Sequence, residues 1–294
     1  LVEDSIRFYS SILPNLYNYI LLQSQRFATE ALNRHTATLR MRGRPKVVLA
    51  RTYEEAMALY KKYAANTLGV ISDVRFPVGG VKDAEAGFKL LRAIRSRDEY
   101  VPLIMESSEG ENRERAQAEG FRFVDKNSKK MSLDLRRMME EHMGFGDFIF
   151  RDPKTKAEIM RIHSLKELQD NIFKIPDDSM LYHISRNHMS RWLSARAIFP
   201  VSAFLKTVTW HKLKDVQAHR QIIFDAIVQY RHMKNIGVVA VFDRLKFDAY
   251  SHFARIGEGS LGGKGRGLAF LDSVIKRNPD FNQFPGVSVQ IPKT

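Results

Sequence analysis

The 294-residue chain contains no cysteine. That excludes a disulfide framework and any thiolate metal site, and it fits a reducing compartment. No apolar run approaches the ~18 residues that suggest a membrane span, and no signal-peptide pattern opens the chain. The expectation is a soluble, cytoplasmic protein with no membrane partner. No aromatic stacking platform is visible either, which ranks nucleic acid last among partners despite a net charge of +14. That charge is dispersed: residues 1–145 carry 24 basic and 19 acidic groups, and residues 146–294 carry 23 and 14. A polyanion site and a basic surface facing an acidic partner both stay open.

What is present is ample apolar material, 44% of residues, and enough length for two domains at roughly 150 residues each. The chain starts Leu1-Val2-Glu3-Asp4 without a methionine and stops just after the strand-like Gly286-Val287-Ser288-Val289-Gln290-Ile291. It reads as a piece of something longer.

The most informative stretch is Gly69-Val70-Ile71-Ser72-Asp73-Val74-Arg75-Phe76-Pro77. A short apolar run ends in one carboxylate, and a proline stops the strand just beyond it. Asp73 thus stands at the carboxyl end of a strand, where open parallel α/β sheets gather ligands and chemistry. Taken alone, it reads more readily as a loop aspartate capping the next helix.

Its surroundings narrow the choice. Leu1 to Asp4 reads as the end of a first strand, followed by a long helical stretch from Ser5 to about Arg40 that Pro14 should kink or break. Lys46 to Ala50 reads as strand two, and Thr52 with Glu55 opens a helix through a capping-box pattern. After the Asp73 strand come a helix from about Ala84 to Arg95, a strand from Val101 to Met105 ending at Glu106-Ser107-Ser108, and a helix from about Gly110 to Glu119. Phe121 to Val124 then forms strand five, ending at Asp125-Lys126, and a last helix carries Leu133, Leu135 and Met139. Alternation of this kind predicts a doubly wound, five-stranded parallel sheet, because parallel strands need long crossovers.

The strand ends then collect Glu3, Asp4, Asp73, Ser107 and Lys126. Two or three carboxylates suit Mg²⁺, which prefers a few protein oxygens and several waters. Asp73 can attack a phosphoryl group while the Lys126 ammonium neutralises its equatorial oxygens and the Ser107 hydroxyl donates to one of them.

In that order and spacing, residues 1–143 resemble the response-regulator receiver domain. The resemblance implies that Glu3, Asp4 and Asp73 hold Mg²⁺ together with the backbone carbonyl of Arg75, and that Asp73 is the phosphoacceptor. It further implies that Lys126 and Ser107 assist, that Phe123 is the aromatic that changes position on phosphorylation, and that a histidine kinase or a small phosphodonor is a partner. Pro77 and Gly87 match the proline and glycine that the family places after its phosphoacceptor. Phe123 reads equally well as plain core. Asn127 stands where the family commonly has proline, the first helical region is longer than usual, and the loop Val78 to Asp83 is enlarged.

The second half reads as a mainly helical connector, residues 144–254, bounded at the start by Met143-Gly144-Phe145-Gly146-Asp147. Within it, Met180 to Ala197 is expected as one helix. His183 and His188, five apart, then lie on different faces, which argues against a metal pair; Arg186 and Arg191 offer a grip for an anion, but the stretch reads more readily as a helix packed on the first domain or on the remainder of the protein. Val216 to Met233 reads as another amphipathic helix, and Gly237 to Asp243 as a strand.

Residues 255–294 hold the glycine-rich run Arg255 to Gly267, leading into a helix at Leu268. Gly262, Gly263 and Gly265 let backbone amides approach phosphate oxygens, and Lys264 adds a full charge. It is no P-loop, since Glu258 takes the first glycine position and Gly265 that of the hydroxyl residue; a glycine-rich turn with a surface lysine is the plain alternative. Gly262-Gly263-Lys264-Gly265 followed by Leu268, with Phe284-Pro285-Gly286-Val287 beyond, resembles the opening of the nucleotide-binding domain of the pyruvate phosphate dikinase and phosphoenolpyruvate synthase family. This implies ATP phosphate at Lys264, an incomplete ATP-grasp-like domain, and the remainder of such an enzyme as a partner. A regulatory region is thus the first expectation, and a receiver-shaped docking or homodimerising module is the second. A basic RNA-binding module is the third.

Overall fold

The computed structural model describes residues 1–213, 215–244, 248–257 and 259–292. In chain order its helices are α1 (Ile6–Ala28), α2 (Arg34–Arg42), α3 (Tyr53–Tyr63), α4 (Ala86–Arg95), α5 (Asn112–Ala118), α6 (Met131–His142), α7 (Leu165–Asn171), α8 (Asp177–Ser185), α9 (His188–Ala195), α10 (Phe199–Thr207), α11 (Val216–Asn235) and α12 (Gly263–Arg277). Its strands are β1 (Val70–Asp73), β2 (Phe76–Val78), β3 (Val81–Asp83), β4 (Leu103–Ser107), β5 (Arg122–Asp125), β6 (Phe148–Arg151), β7 (Glu158–Ile162), β8 (Val239–Val241) and β9 (Phe253–Arg255). Among the described residues, no helix is long and apolar enough to cross a membrane. The chain forms two units: Leu1–Ser24 with Arg44–His163 and Ile175–Trp210, and Gln25–Gly43 with Ser164–Lys174 and His211–Thr294.

The first unit is mixed α/β around a three-stranded parallel sheet of order β1-β4-β5. Alternation along β4 sends Leu103 and Met105 into one apolar cluster, with Tyr60, Phe88, Leu91 and Ala116. Ile104 goes to the other, with Ile12, Leu16, Leu135 and Met139. Each leucine, isoleucine, phenylalanine or methionine among them, fully removed from water, contributes roughly 1.5–3 kcal/mol. Both faces of the sheet are therefore covered, as the continuous apolar runs of β1 and β4 require.

Three strands stand where five were expected. The two N-terminal segments meet the sheet only through single parallel bridges, Val2 to Ser72 and Val2 to Ala50. Val2 N–H donates to Ile71 O at 2.8 Å, Asp73 N–H to Val2 O at 2.9 Å, and Glu3 N–H to Ala50 O at 3.0 Å. The ladder stops there because helices begin at once. Glu3 Oε1 accepts from Ser5 N–H at 2.9 Å just before α1, and Thr52 Oγ1 caps α3 by accepting from Glu55 N–H at 3.2 Å. The Glu55 carboxylate reaches Arg51 N–H at 2.8 Å instead of closing the expected box on Thr52.

The expected helix from Ser5 to about Arg40 is two, α1 and α2, yet α1 runs unbroken through Pro14. Pro14 lies on the exposed face, where water can take up the carbonyl it leaves without a partner, and Ile12 and Leu16 are buried on either side of it. The enlarged loop after Asp73 is a hairpin, β2-β3, turned by Gly79 at φ +58° and Gly80 at φ +81°. Two consecutive left-handed residues are what a two-residue hairpin turn demands. Gly286 to Ile291, strand-like in sequence, forms no strand.

The rest of the first unit is the antiparallel pair β6-β7 with α8, α9 and α10. The expected single helix from Met180 to Ala197 breaks between α8 and α9, where Asn187 turns left-handed at φ +54°. In the second unit β8 and β9 pair in parallel. There Arg231 on α11 donates to Gln169 Oε1 at 2.7 Å and to Asp248 Oδ1 at 2.9 Å, tying α7 and the segment before β9 to one buried guanidinium.

Candidate functional site

The carboxyl ends of the parallel segments meet in one acidic pocket. Lys126, immediately after β5, is held in place by its backbone N–H on Ser107 O at 2.9 Å. Its ammonium lies 2.7 Å from Asp73 Oδ1, pairs with Glu3 Oε2, and stands 4.4 Å from the centre of the Phe8 ring. The Lys126 and Glu3 side chains are only 2% and 0% exposed, so both charges have left water and each needs the other. Burial works against the Lys126 charge, but Asp73 and Glu106 outweigh it and hold the ammonium pKa above its ordinary value. Burial first, and then the neighbouring Asp73, push the Glu3 carboxyl up.

Asp4 completes a triplet: Glu3, Asp4 and Asp73 each offer an oxygen within 4.8 Å of the others. Asp4 Oδ2 pairs with Lys82 of the hairpin at 3.2 Å, while Oδ1 is buried and has no hydrogen-bond partner. An orphaned carboxylate oxygen beside two other carboxylates suits a hard divalent cation, and an all-oxygen donor set suits Mg²⁺.

One member of this pocket escaped the sequence reading. Glu106 on β4 is fully buried, sits in register with Asp73 and Val124, and has no partner on either carboxylate oxygen. Burial drives its carboxyl up to about 8, against the pull of Lys126 and with a further push from Glu3 and Asp73. The signal in the sequence was there: an acid inside an otherwise apolar strand run, which reads as the strand's end only if the strand stops at Met105.

Ser107, almost fully buried, uses its hydroxyl oxygen to accept from Glu109 N–H at 3.0 Å and from the Asn112 amide at 3.1 Å. Arg75 lies in the turn between β1 and β2, with its side chain on Glu109 at 3.0 Å. Phe123 is buried in the sheet's apolar cluster with the Arg113 guanidinium 4.9 Å over its ring. Gly87, the second residue of α4, lies so close to β1 that a Cβ there would stand 2.1 Å from Asp73 O and 2.9 Å from Val74 Cα. Its N–H donates to Val74 O at 2.9 Å. Gly87→Ala should therefore cost roughly 1–3 kcal/mol by overpacking, read as a lower urea midpoint, because the backbone at Asp73 that the new methyl meets is not a flexible chain end that can swing aside.

No family model, curated protein or solved structure matches the chain. In the second unit, Gly262 is the N-cap of α12 with no side-chain cap, and Gly263, Lys264 and Gly265 form its first turn, with Lys264 exposed. The helix thus starts several residues before the expected Leu268. Glu258 lies outside the described residues.

Proposed function

We propose that residues 1–143 are a phosphoacceptor receiver domain, with Asp73 accepting the phosphoryl group and with Glu3, Asp4, Asp73 and the Arg75 carbonyl as the residues that would hold Mg²⁺. The observation that carries this reading is the buried Lys126 ammonium set between Glu3 and Asp73. The order of segments supports it as well. Ala50 and Val2 bridge in turn to β1, beside β4 and β5, an order of segments similar to the 2-1-3-4-5 of a doubly wound fold, although only the last three are strands.

In the proposed reaction an Asp73 carboxylate oxygen bonds to the phosphorus of an acyl phosphate. The bond from phosphorus to the leaving carboxylate, or to the imidazole nitrogen where a phosphohistidine is the donor, breaks, and its electron pair departs with that group. Lys126 stands where it neutralises the equatorial oxygens, and rotation of the Ser107 hydroxyl proton gives them a donor. When bound, Mg²⁺ would supply further neutralisation of the phosphoryl charge. The phosphodonor is a histidine kinase or a small acyl phosphate. On this reading the protein is cytoplasmic and regulates a dikinase-like or phosphoenolpyruvate synthase-like enzyme whose ATP site would begin at Gly262, Gly263, Lys264 and Gly265.

Incubation with Mg²⁺ and acetyl phosphate should add one hydroxylamine-labile phosphate to the wild-type chain, read by intact mass, and none to Asp73→Asn. An unchanged wild-type mass sinks the proposal.

A second reading, a docking or homodimerising module without phosphoryl turnover, is favoured by exposed apolar residues on α1, with Ile6 at 69% and Leu22 at 48%. Beryllofluoride with Mg²⁺ separates the two: a metal-dependent shift in sedimentation or fluorescence supports the receiver, and indifference to both supports docking alone.

A further inference from the structure

Glu106 takes no part in the reaction as drawn above, yet it lies beneath the side chain on which that reaction depends. In the sheet of order β1-β4-β5, Ile71, Ile104 and Val124 all turn into the cluster that holds Ile12, Leu16, Leu135 and Met139. Side chains alternate along a strand, so the residues two further on, Asp73, Glu106 and Lys126, turn to that same face at the carboxyl edge. Glu106 stands in register with Asp73 on one side and with Val124 on the other. To place its ammonium 2.7 Å from Asp73 Oδ1, Lys126 must cross β4, a span of two strand spacings or about 9.5 Å. Its stem therefore passes over the end of β4, where both Glu106 carboxylate oxygens are buried without a hydrogen-bond partner.

An open acceptor at that point has a use. Glu3 accepts from Ser5 N–H through Oε1, at 2.9 Å, and from Lys126 through Oε2. A cation can thus claim Glu3 in full only if the ammonium gives way. The Lys126 side chain is 2% exposed, so no water replaces the lost carboxylate, and a stranded N–H in that place opposes metal binding. An ammonium carries three donors, and Asp73 and Glu3 engage two of them.

We propose, on the receiver reading of this pocket, that Glu106 is a positioning residue that takes the Lys126 ammonium over from Glu3 when a divalent cation occupies Glu3, Asp4 and Asp73. One N–H then rests on Glu106, and the others stay directed at Asp73 and at the phosphoryl oxygens it acquires. The role asks only for an oxygen with lone pairs at this position, which a carboxyl offers in either protonation state and which the amide of glutamine offers as well.

The test is calorimetric titration of Mg²⁺ into the full chain and into Glu106→Leu and Glu106→Gln, at fixed pH and ionic strength. Leucine supplies no acceptor, so Mg²⁺ affinity should fall about tenfold, whereas glutamine should hold it within about threefold of the wild type. Circular dichroism checks that both variants fold. In the wild type, nuclear magnetic resonance should show a hydrogen-bond coupling between Lys126 Nζ and the Glu3 carboxyl carbon without metal, and between Lys126 Nζ and the Glu106 carboxyl carbon in saturating Mg²⁺. A merely structural carboxyl would not acquire that coupling. Equal Mg²⁺ affinity in the wild type and Glu106→Leu, a loss in Glu106→Gln as large as that in Glu106→Leu, or a coupling that stays on Glu3 would overturn the handover and leave the receiver reading standing. A wild type that binds no Mg²⁺ overturns both.

Discussion

Lys126→Met should lower the stability of the chain by about 3–5 kcal/mol at neutral pH, the usual result of removing one partner from a buried ion pair. Glu3 and Asp73 share the one ammonium, and with Glu3 fully buried neither water nor a second lysine replaces it. Lys82 is too far out to help, since its side chain is 62% exposed and already rests on Asp4. Methionine fills the space of the lysine stem against Phe8, so the loss reports charge and not a cavity. Millimolar Mg²⁺ should recover part of the deficit in this variant and add less to the wild type, because the carboxylates that lose the ammonium are those offered to the metal. Urea unfolding of both proteins with and without Mg²⁺ measures all four states. Equal stabilities in the absence of metal would mean that Lys126 does not hold the pocket together.

That pocket was legible in the sequence because each of its main groups marks a strand end. A carboxylate or amine that halts an apolar run must sit at the edge of the sheet, and parallel strands put all such edges on one side. Asp73, Lys126 and Glu3 follow from this rule. The number of strands did not, because Val2 and Ala50 are each a few residues from a helix start, and strand length depends on where neighbouring caps form and not on local composition. The histidine pair was misjudged for a different reason. Helical spacing separates His183 from His188, but one residue, Asn187, leaves the helical region, and a single left-handed turn reverses which faces meet. Asparagine tolerates that conformation better than most residues, so the polar run Ser185-Arg186-Asn187 held a hint that the amphipathic pattern overrode. The hairpin after Asp73 had a clearer signature in Gly79-Gly80, the pairing that allows two positive φ values in succession.

Glu106→Gln should raise stability at neutral pH and flatten its pH dependence. A carboxyl whose pKa is higher in the folded chain binds more protons there than in the unfolded chain. Its contribution is complete below about 4.5 and is lost as pH climbs through about 8. At ~1.4 kcal/mol per unit, the wild type should give up on the order of 3 kcal/mol between pH 4.5 and 7 through this one group. Glutamine cannot ionise and matches the neutral acid in shape, so it keeps that energy at every pH. Glu3 shifts in the same direction and remains in both proteins, whereas His142, His183 and His188 shift the opposite way and favour the fold above their unfolded pKa of 6.5. The difference between the two proteins, not either curve alone, therefore isolates Glu106. Denaturant midpoints at pH 5, 6, 7 and 8 should diverge steadily with the variant above. Parallel curves would place a compensating positive charge beside Glu106 and return it to the ranks of ordinary ionised acids.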